Sequence, residues 1–298
     1  MRHELALDGI HVPLITPFTA DGRIAGDALE GLARTALRQG AAGIVALGTT
    51  AETAALDAEE RRTVVEVCAR VCGEHGGNLI VGTGGGTTAA AGRAIGEVAG
   101  TAGMHAALVT VPSFVRPSQE GVLAHFRQLA ADSPVPLVVY HVPYRTGRPL
   151  AAATLRALGR IPGVAGVKYA AGGIDQDTVD LLGDPPEDFA VLAGDDVYAS
   201  AMLALGAPGA VLASAHLVTD RFAALADLWH TGDAVRARAL GHRLARLSAR
   251  LFAEPNPTVL KGVLHAQGRI PTSDVRLPLL PASRGAVDAA LKELADLG

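Results

Sequence analysis

The sequence predicts a (β/α)8 barrel with a C-terminal helical extension, from three observations. The chain has 298 residues, and a single barrel takes roughly 250, which leaves room for a short appendix. Eight short, near-continuous apolar runs recur at spacings of roughly 20 to 35 residues, the pattern of parallel strands buried on both faces. The stretches between them carry helical periodicity. An open doubly wound sheet is the alternative that such alternation also allows.

The runs are IHVPLIT from Ile10, GIVALGTT from Gly43, LIVGTGG from Leu79, AALVTVP from Ala106, VPLVVYHVP from Val135, VAGVKYA from Val164, FAVLAGDD from Phe189 and GAVLASAH from Gly209. DALEGLARTALRQG, AEERRTVVEVCARVC and QEGVLAHFRQLAAD read as helices after the first, second and fourth runs. From about Leu217 the strand signal stops. RFAALADLWHTGDAVRARALGHRLARLSARLF reads as helices broken at Thr231-Gly232-Asp233. EPNPTVLKGVLHAQG and AVDAALKELADL follow as further helices around a proline-rich loop. The expected division is a barrel over 1–225 and a helical extension packed on it over 226–298.

Apolar residues make up 49% of the chain and aromatics only 4%, so the core must be built from Ala, Val, Leu and Ile. The net charge is −4 with no basic tract longer than two residues, which argues against a nucleic-acid or membrane-surface partner. Cys68 and Cys72 lie four apart on a helical pattern, the spacing of two buried thiols rather than a CxxC redox pair. With no signal-peptide pattern and no apolar run near roughly 18 residues, the expected location is cytoplasmic.

Active sites of such barrels lie at the C-terminal ends of the strands. The polar residues ending these runs are Thr16, Thr49-Thr50, Thr83, Thr110, Tyr140, Lys168, Asp195-Asp196 and Ser214. Lys168 is unusual. Burial penalises a charged amine, and a neutral amine attacks a carbonyl to form a Schiff base. The alternative is a buried lysine paired with Asp195 or Asp196. Tyr140 ends the preceding strand, where a phenol can move protons on and off a carbinolamine. Thr49 and Thr50, in a turn after a glycine, suit a carboxylate. Arg145 can grip a second carboxylate bidentately. Together these residues describe a site for small keto acids.

Other motifs carry less. GTGGG at Gly82 lacks a GK[ST] ending and reads as a strand–helix turn. The ten histidines show no metal-ligand spacing. His216 reads as a satisfied structural histidine, Asp195-Asp196 as turn caps and Trp229 as a packing residue.

VPLITPF at Val12, GTTAE at Gly48, RPSQEG at Arg116, YHVPYRTG at Tyr140, GVK ending at Lys168, AGDD at Ala193 and NPTVLK at Asn256 are similar to motifs of one family. From about Gly9 to Gln267 the chain resembles the dihydrodipicolinate synthase/N-acetylneuraminate lyase family of class I aldolases. RPSQEG and Arg145 favour the synthase branch, which condenses pyruvate with aspartate semialdehyde. The resemblance implies that Lys168 forms the imine, Tyr140 relays protons, Thr49 links the relay and Thr50 binds the pyruvate carboxylate. It further implies that Arg145 holds the second substrate and that the Val211 carbonyl faces the imine. It implies no metal, nicotinamide or flavin, because the imine is the electron sink, and a homotetramer built from dimers. A pyruvate-dependent aldolase or dehydratase of another 2-keto acid, and a non-catalytic keto-acid-binding descendant, are the competing readings.

Four positions depart from the family pattern. Ala51 stands for the glycine of GTTGE, His141 for asparagine, and Tyr169 for an acidic residue. Phe114 takes the place of a tyrosine that reaches the neighbouring subunit's site and completes a three-hydroxyl relay. The family's lysine-inhibited members also carry a polar and aromatic cleft, matched here by Ala58, Arg61, Gly86, Ala90 and Ser113.

Overall fold

The computed structural model describes residues 5–101 and 103–297; the outermost ends of the two expected regions, residues 1–4 and 298, lie outside it. Eight parallel strands close into a barrel: β1 Gly9–Pro13, β2 Gly43–Ala46, β3 Asn78–Gly82, β4 Met104–Thr110, β5 Leu137–His141, β6 Val164–Tyr169, β7 Ala190–Ala193 and β8 Gly209–Val211. Each pairs with the next, and β8 returns to β1 through Gly9↔Gly209 and His11↔Val211. All eight apolar runs are strands, and closure rules out the open sheet.

The helices are α1 Gly26–Arg38, α2 Ala58–His75, α3 Thr88–Ala99, α4 Gln119–Asp132, α5 Pro143–Thr146, α6 Ala152–Gly159, α7 Gln176–Gly183, α8 Ala199–Ala204, α9 Ala215–His230, α10 Ala234–Leu251, α11 Thr258–Ala266 and α12 Arg284–Leu297. Local chemistry sets their ends. Asp57 and Glu60 form a reciprocal capping box at the start of α2, satisfying two otherwise orphaned N–H groups. Ser118 caps α4 through the Gly121 N–H. The Thr231-Gly232-Asp233 break separates α9 from α10, with Gly232 left-handed and Asp233 accepting from the Arg236 N–H. Helix α10 packs on α8, α9 and α12.

Two apolar layers result. Between strands and helices lies a continuous Leu/Val/Ile/Ala core that also takes in Phe18, Phe126 and Phe222. Inside the barrel, Val45, Ile80, Leu108, Val138 and Leu192 fill the centre below Tyr140. Cys68 and Cys72 are buried on one face of α2, and burial pushes both thiols up. Trp229 packs α9 on α8 and donates to Ser200 Oγ at 3.0 Å. Among the described residues no helix is long and apolar enough to cross a membrane.

Candidate active site

The site is built on the ends of β5 and β6. Tyr140 and Lys168 are register partners on these neighbouring strands, so their side chains stand side by side at the barrel mouth. Both are buried, and Lys168 Nζ lies 4.4 Å from the centre of the Tyr140 ring. The lysine stem reaches this point because residue 194 is glycine: a Cβ there would come within 2.9 Å of Lys168 Cγ. Gly194, at the end of β7, is a site residue that the apolar pattern does not reveal.

Past β2 the chain turns through two short 3₁₀ segments, Thr49–Ala51 and Thr53–Ala55, joined at Glu52 in the left-handed region (φ 54°). Thr53 Oγ1 donates to the Gly48 carbonyl at 2.9 Å and Thr16 Oγ1 to the Ala51 carbonyl at 2.8 Å. Thr50 is buried and accepts from Asn256 Nδ2 at 2.9 Å. Ala51, where the family pattern has glycine, fits this turn without strain.

Arg145 lies on the single turn α5, which begins with proline and ends on Gly147 in the left-handed conformation. Its guanidinium stands 4.9 Å from the Tyr144 ring centre. The Arg116 guanidinium packs directly over Gly147, where a Cβ would lie 2.5 Å from Arg116 Nε. Arg148 Nη2 also donates to the Arg116 carbonyl at 2.9 Å. The RPSQEG and YHVPYRTG segments therefore lock two loops of the barrel mouth together.

One cleft at the C-terminal end of the barrel is lined by Lys168, Tyr140, Thr49, Thr50, Arg145 and Val211, with Tyr144, Asp195, Asp196, Phe252 and Asn256 around them. The six residues predicted to meet within one subunit do meet. Phe114 does not line this cleft in its own chain. It sits on the loop after β4 with φ 68°, 95% exposed, beside Val115 at 63%.

The carboxylates beside Lys168 act as clips between loops. Asp195 accepts from the Gly172 N–H at 2.7 Å and Asp196 from the Ser214 N–H at 2.5 Å. Burial raises both; the backbone N–H and the Lys168 charge oppose it. Asp196, wholly buried, is pushed up to about 6. His216 accepts from the Ile15 N–H at 3.1 Å and makes a 2.8 Å contact to the Ala213 carbonyl, so both its ring nitrogens are engaged. His141 and Tyr169 turn out to be neighbours. They pair across β5 and β6, face outward, and their ring centres lie 5.3 Å apart. Tyr169 Oη accepts from Thr178 Oγ1 at 3.1 Å, tying the pair to α7. Burial pushes His141 down to about 4 and Tyr169 up to about 12, so both stay neutral near pH 7. Two of the four departures are thus one packing unit behind the site.

A model of the dihydrodipicolinate synthetase family matches residues 6–296. The chain belongs to that family. It is 36% identical over 283 residues to 4-hydroxy-tetrahydrodipicolinate synthase of Moorella thermoacetica, covering 94% of this chain and 96% of that one. It is 37% identical over 275 residues to the synthase of Pseudomonas aeruginosa, covering 91% of each. A solved structure of the chloride-inhibited dihydrodipicolinate synthase of Acinetobacter baumannii, complexed with pyruvate, superposes with a TM-score of 0.93 at 32% identity, over 98% of this chain and 99% of that chain. In the present chain Glu52, Asn256 and Lys261 are buried or half-buried groups in or against the threonine turn. No periodicity or strand-end position marks them, although two lie in NPTVLK and the third ends GTTAE.

Proposed function

We propose that this chain is a class I, Schiff-base lyase that condenses pyruvate with aspartate semialdehyde, as a 4-hydroxy-tetrahydrodipicolinate synthase does. The observation that carries this reading is Lys168 Nζ over the Tyr140 ring, in a cleft shared with Thr49, Thr50 and Arg145. The Lys168 amine attacks the pyruvate keto carbon, and Tyr140, through Thr49, moves the protons that expel water and leave the imine. Loss of a methyl proton gives an enamine. Its carbon attacks the aldehyde carbon, and the aldehyde oxygen takes a proton. The amino group of the semialdehyde then displaces Lys168 from the imine carbon, closing the ring and freeing the enzyme. Thr50 holds the pyruvate carboxylate, the Val211 carbonyl faces the imine, and Arg145 pairs with the carboxylate of the second substrate.

The partners are small molecules, pyruvate and an aldehyde. We also propose a homotetramer of dimers in which Phe114 reaches the neighbouring subunit. Its near-complete exposure beside Val115 supports this, and sedimentation velocity tests it: a monomer at micromolar concentration would refute it.

Pyruvate with borohydride should leave one reduced pyruvyl adduct on Lys168, read by intact mass and peptide mapping. An adduct on Lys261 or Lys292 would sink the assignment. Turnover of pyruvate with a panel of aldehydes should favour aspartate semialdehyde. Turnover of other aldehydes alone would move the chain to an aldolase of a different keto acid.

A further inference from the structure

The chain holds three lysines, Lys168, Lys261 and Lys292. Two of them are buried, and only one sits in the cleft. Lys261, on α11, has a wholly buried side chain whose Nζ lies 2.5 Å from Glu52 Oε1. It also donates to the Asp274 carbonyl at 2.8 Å and stands 4.1 Å from the centre of the Phe18 ring. Its protons are committed, so it is not a second nucleophile. A buried ion pair is also a weak source of stability, since apolar side chains of similar volume often serve as well. Its placement therefore suggests another role.

Glu52 joins the two 3₁₀ segments of the threonine turn in a left-handed conformation that a non-glycine residue adopts only when its surroundings fix it. Those surroundings come from the C-terminal part of the chain. Glu52 Oε2 accepts from the Arg276 N–H at 2.7 Å, and Arg276 Nη1 donates to the Ala55 carbonyl at 2.8 Å, at the end of the same turn. The Lys261 and Arg276 charges both lie against the Phe18 ring, 4.1 and 4.4 Å from its centre. The turn is held at both ends from one side.

The third contact has a direction. Asn256 Nδ2 donates to Thr50 Oγ1. A hydroxyl has one proton and two lone pairs. Once Thr50 accepts from Asn256, its own proton is left to donate into the cleft, the polarity that a carboxylate needs.

We infer that Asn256, Lys261 and Arg276 form a C-terminal clamp that fixes the Thr49–Thr50 turn through Glu52 and sets the Thr50 hydroxyl as a donor to the substrate carboxylate. The inference rests on the proposed function for the role of that turn. It makes the segment 256–276 part of the substrate-binding apparatus, with Lys261 and Glu52 as positioning residues.

Two sets of variants test it by pyruvate KM, kcat and melting temperature. Lys261→Met alone leaves a buried carboxylate unpaired and should lower the melting temperature sharply. The double variant Glu52→Leu/Lys261→Met should recover most of that loss, while its pyruvate KM stays about tenfold or more above native, the size of one lost charged hydrogen bond. Asn256→Asp turns the Thr50 proton toward the new carboxylate and adds a like charge beside the substrate. Its KM should rise on the order of a hundredfold, more than in Asn256→Ala, with a smaller fall in kcat. A double variant that regains both melting temperature and native KM would show that the pair is only structural. A native KM in Asn256→Asp would show that Asn256 does not orient Thr50. Native protein that fails to trap pyruvate on Lys168 overturns the proposed function itself, and the inference with it, so the two failures are separable.

Discussion

Lys168 Nζ and the Tyr140 ring lie 4.4 Å apart on adjacent strands in matching register, so whatever condenses on the amine forms against the phenol-bearing strand. Tyr140→Phe keeps the ring that packs under the lysine and removes only the hydroxyl. A positioned acid or base contributes on the order of 10² to 10⁴ in rate. We expect kcat to fall within that range while pyruvate KM changes by less than about threefold, because the carboxylate contacts lie elsewhere. Steady-state kinetics on the folded variant decide it. A kcat close to native would remove Tyr140 from proton transfer.

Arg145 sits on the exposed turn α5, outside the buried pair. Arg145→Ala should therefore damage the second substrate far more than pyruvate. A charge-assisted pair is worth about 1.5 to 3 kcal/mol, so a loss of roughly tenfold to a few hundredfold in kcat/KM for aspartate semialdehyde is expected. Equal loss for both substrates would mean that the residue only braces its loop.

Phe114 is 95% exposed in a left-handed conformation that Phe and Tyr tolerate alike. Phe114→Tyr should leave the fold and borohydride trapping as they are and raise the condensation rate, by part of the 10² to 10⁴ available to a positioned proton carrier. An unchanged or lower rate with aspartate semialdehyde would mean that the position is adapted to a different aldehyde.

Asp196 gives a stability test with a sign. Burial holds its folded pKa at about 6, above the ordinary carboxyl value of 3.8, so the folded state binds this proton more tightly than the unfolded chain does. Its contribution is fully present below pH 3.8 and is lost as the pH rises through about 6. Asp196→Asn keeps an acceptor for the Ser214 N–H without the ionisation. The melting temperature of the variant relative to native should rise between pH 4 and pH 8, by several degrees if the penalty is on the order of 2 to 3 kcal/mol. A flat difference across that range would show that the carboxyl is not strained by burial.

The barrel was legible because its signal is periodic and repeated. Every apolar run became a strand, and the ends of those runs held Tyr140, Lys168 and the threonine pair. Helices α3, α5, α6, α7 and α8 do not stand out as separate stretches; four of them have 4 to 8 residues, too short for a clear period. Other site features depend on what a residue meets in space. Gly194 matters because Lys168 passes over it, and Asn256 because residue 50 lies 206 positions earlier. His141 and Tyr169 each look like a loss when read singly. As cross-strand neighbours they pack against each other and against α7.

The remaining prediction concerns regulation by L-lysine. The family's inhibited members bind the amino acid in a cleft whose matching positions here are Ala58, Arg61, Gly86, Ala90 and Ser113. None of these offers a carboxylate for the ligand's ammonium groups. Arg61 brings a like charge, and its Nη1 is held by the Leu56 carbonyl at 2.7 Å, which keeps that charge at the start of α2. Ala58 and Arg61 line a broad open groove together with Arg62 and Glu66, so the carboxylates nearby come from other positions than these five. Each missing charged hydrogen bond costs about 1.5 to 3 kcal/mol, and several are missing at once. Millimolar L-lysine should therefore leave turnover at saturating pyruvate unchanged and give no saturable heat in calorimetric titration. Saturable binding accompanied by loss of activity would mean that these five positions had been rebuilt into a different lysine site.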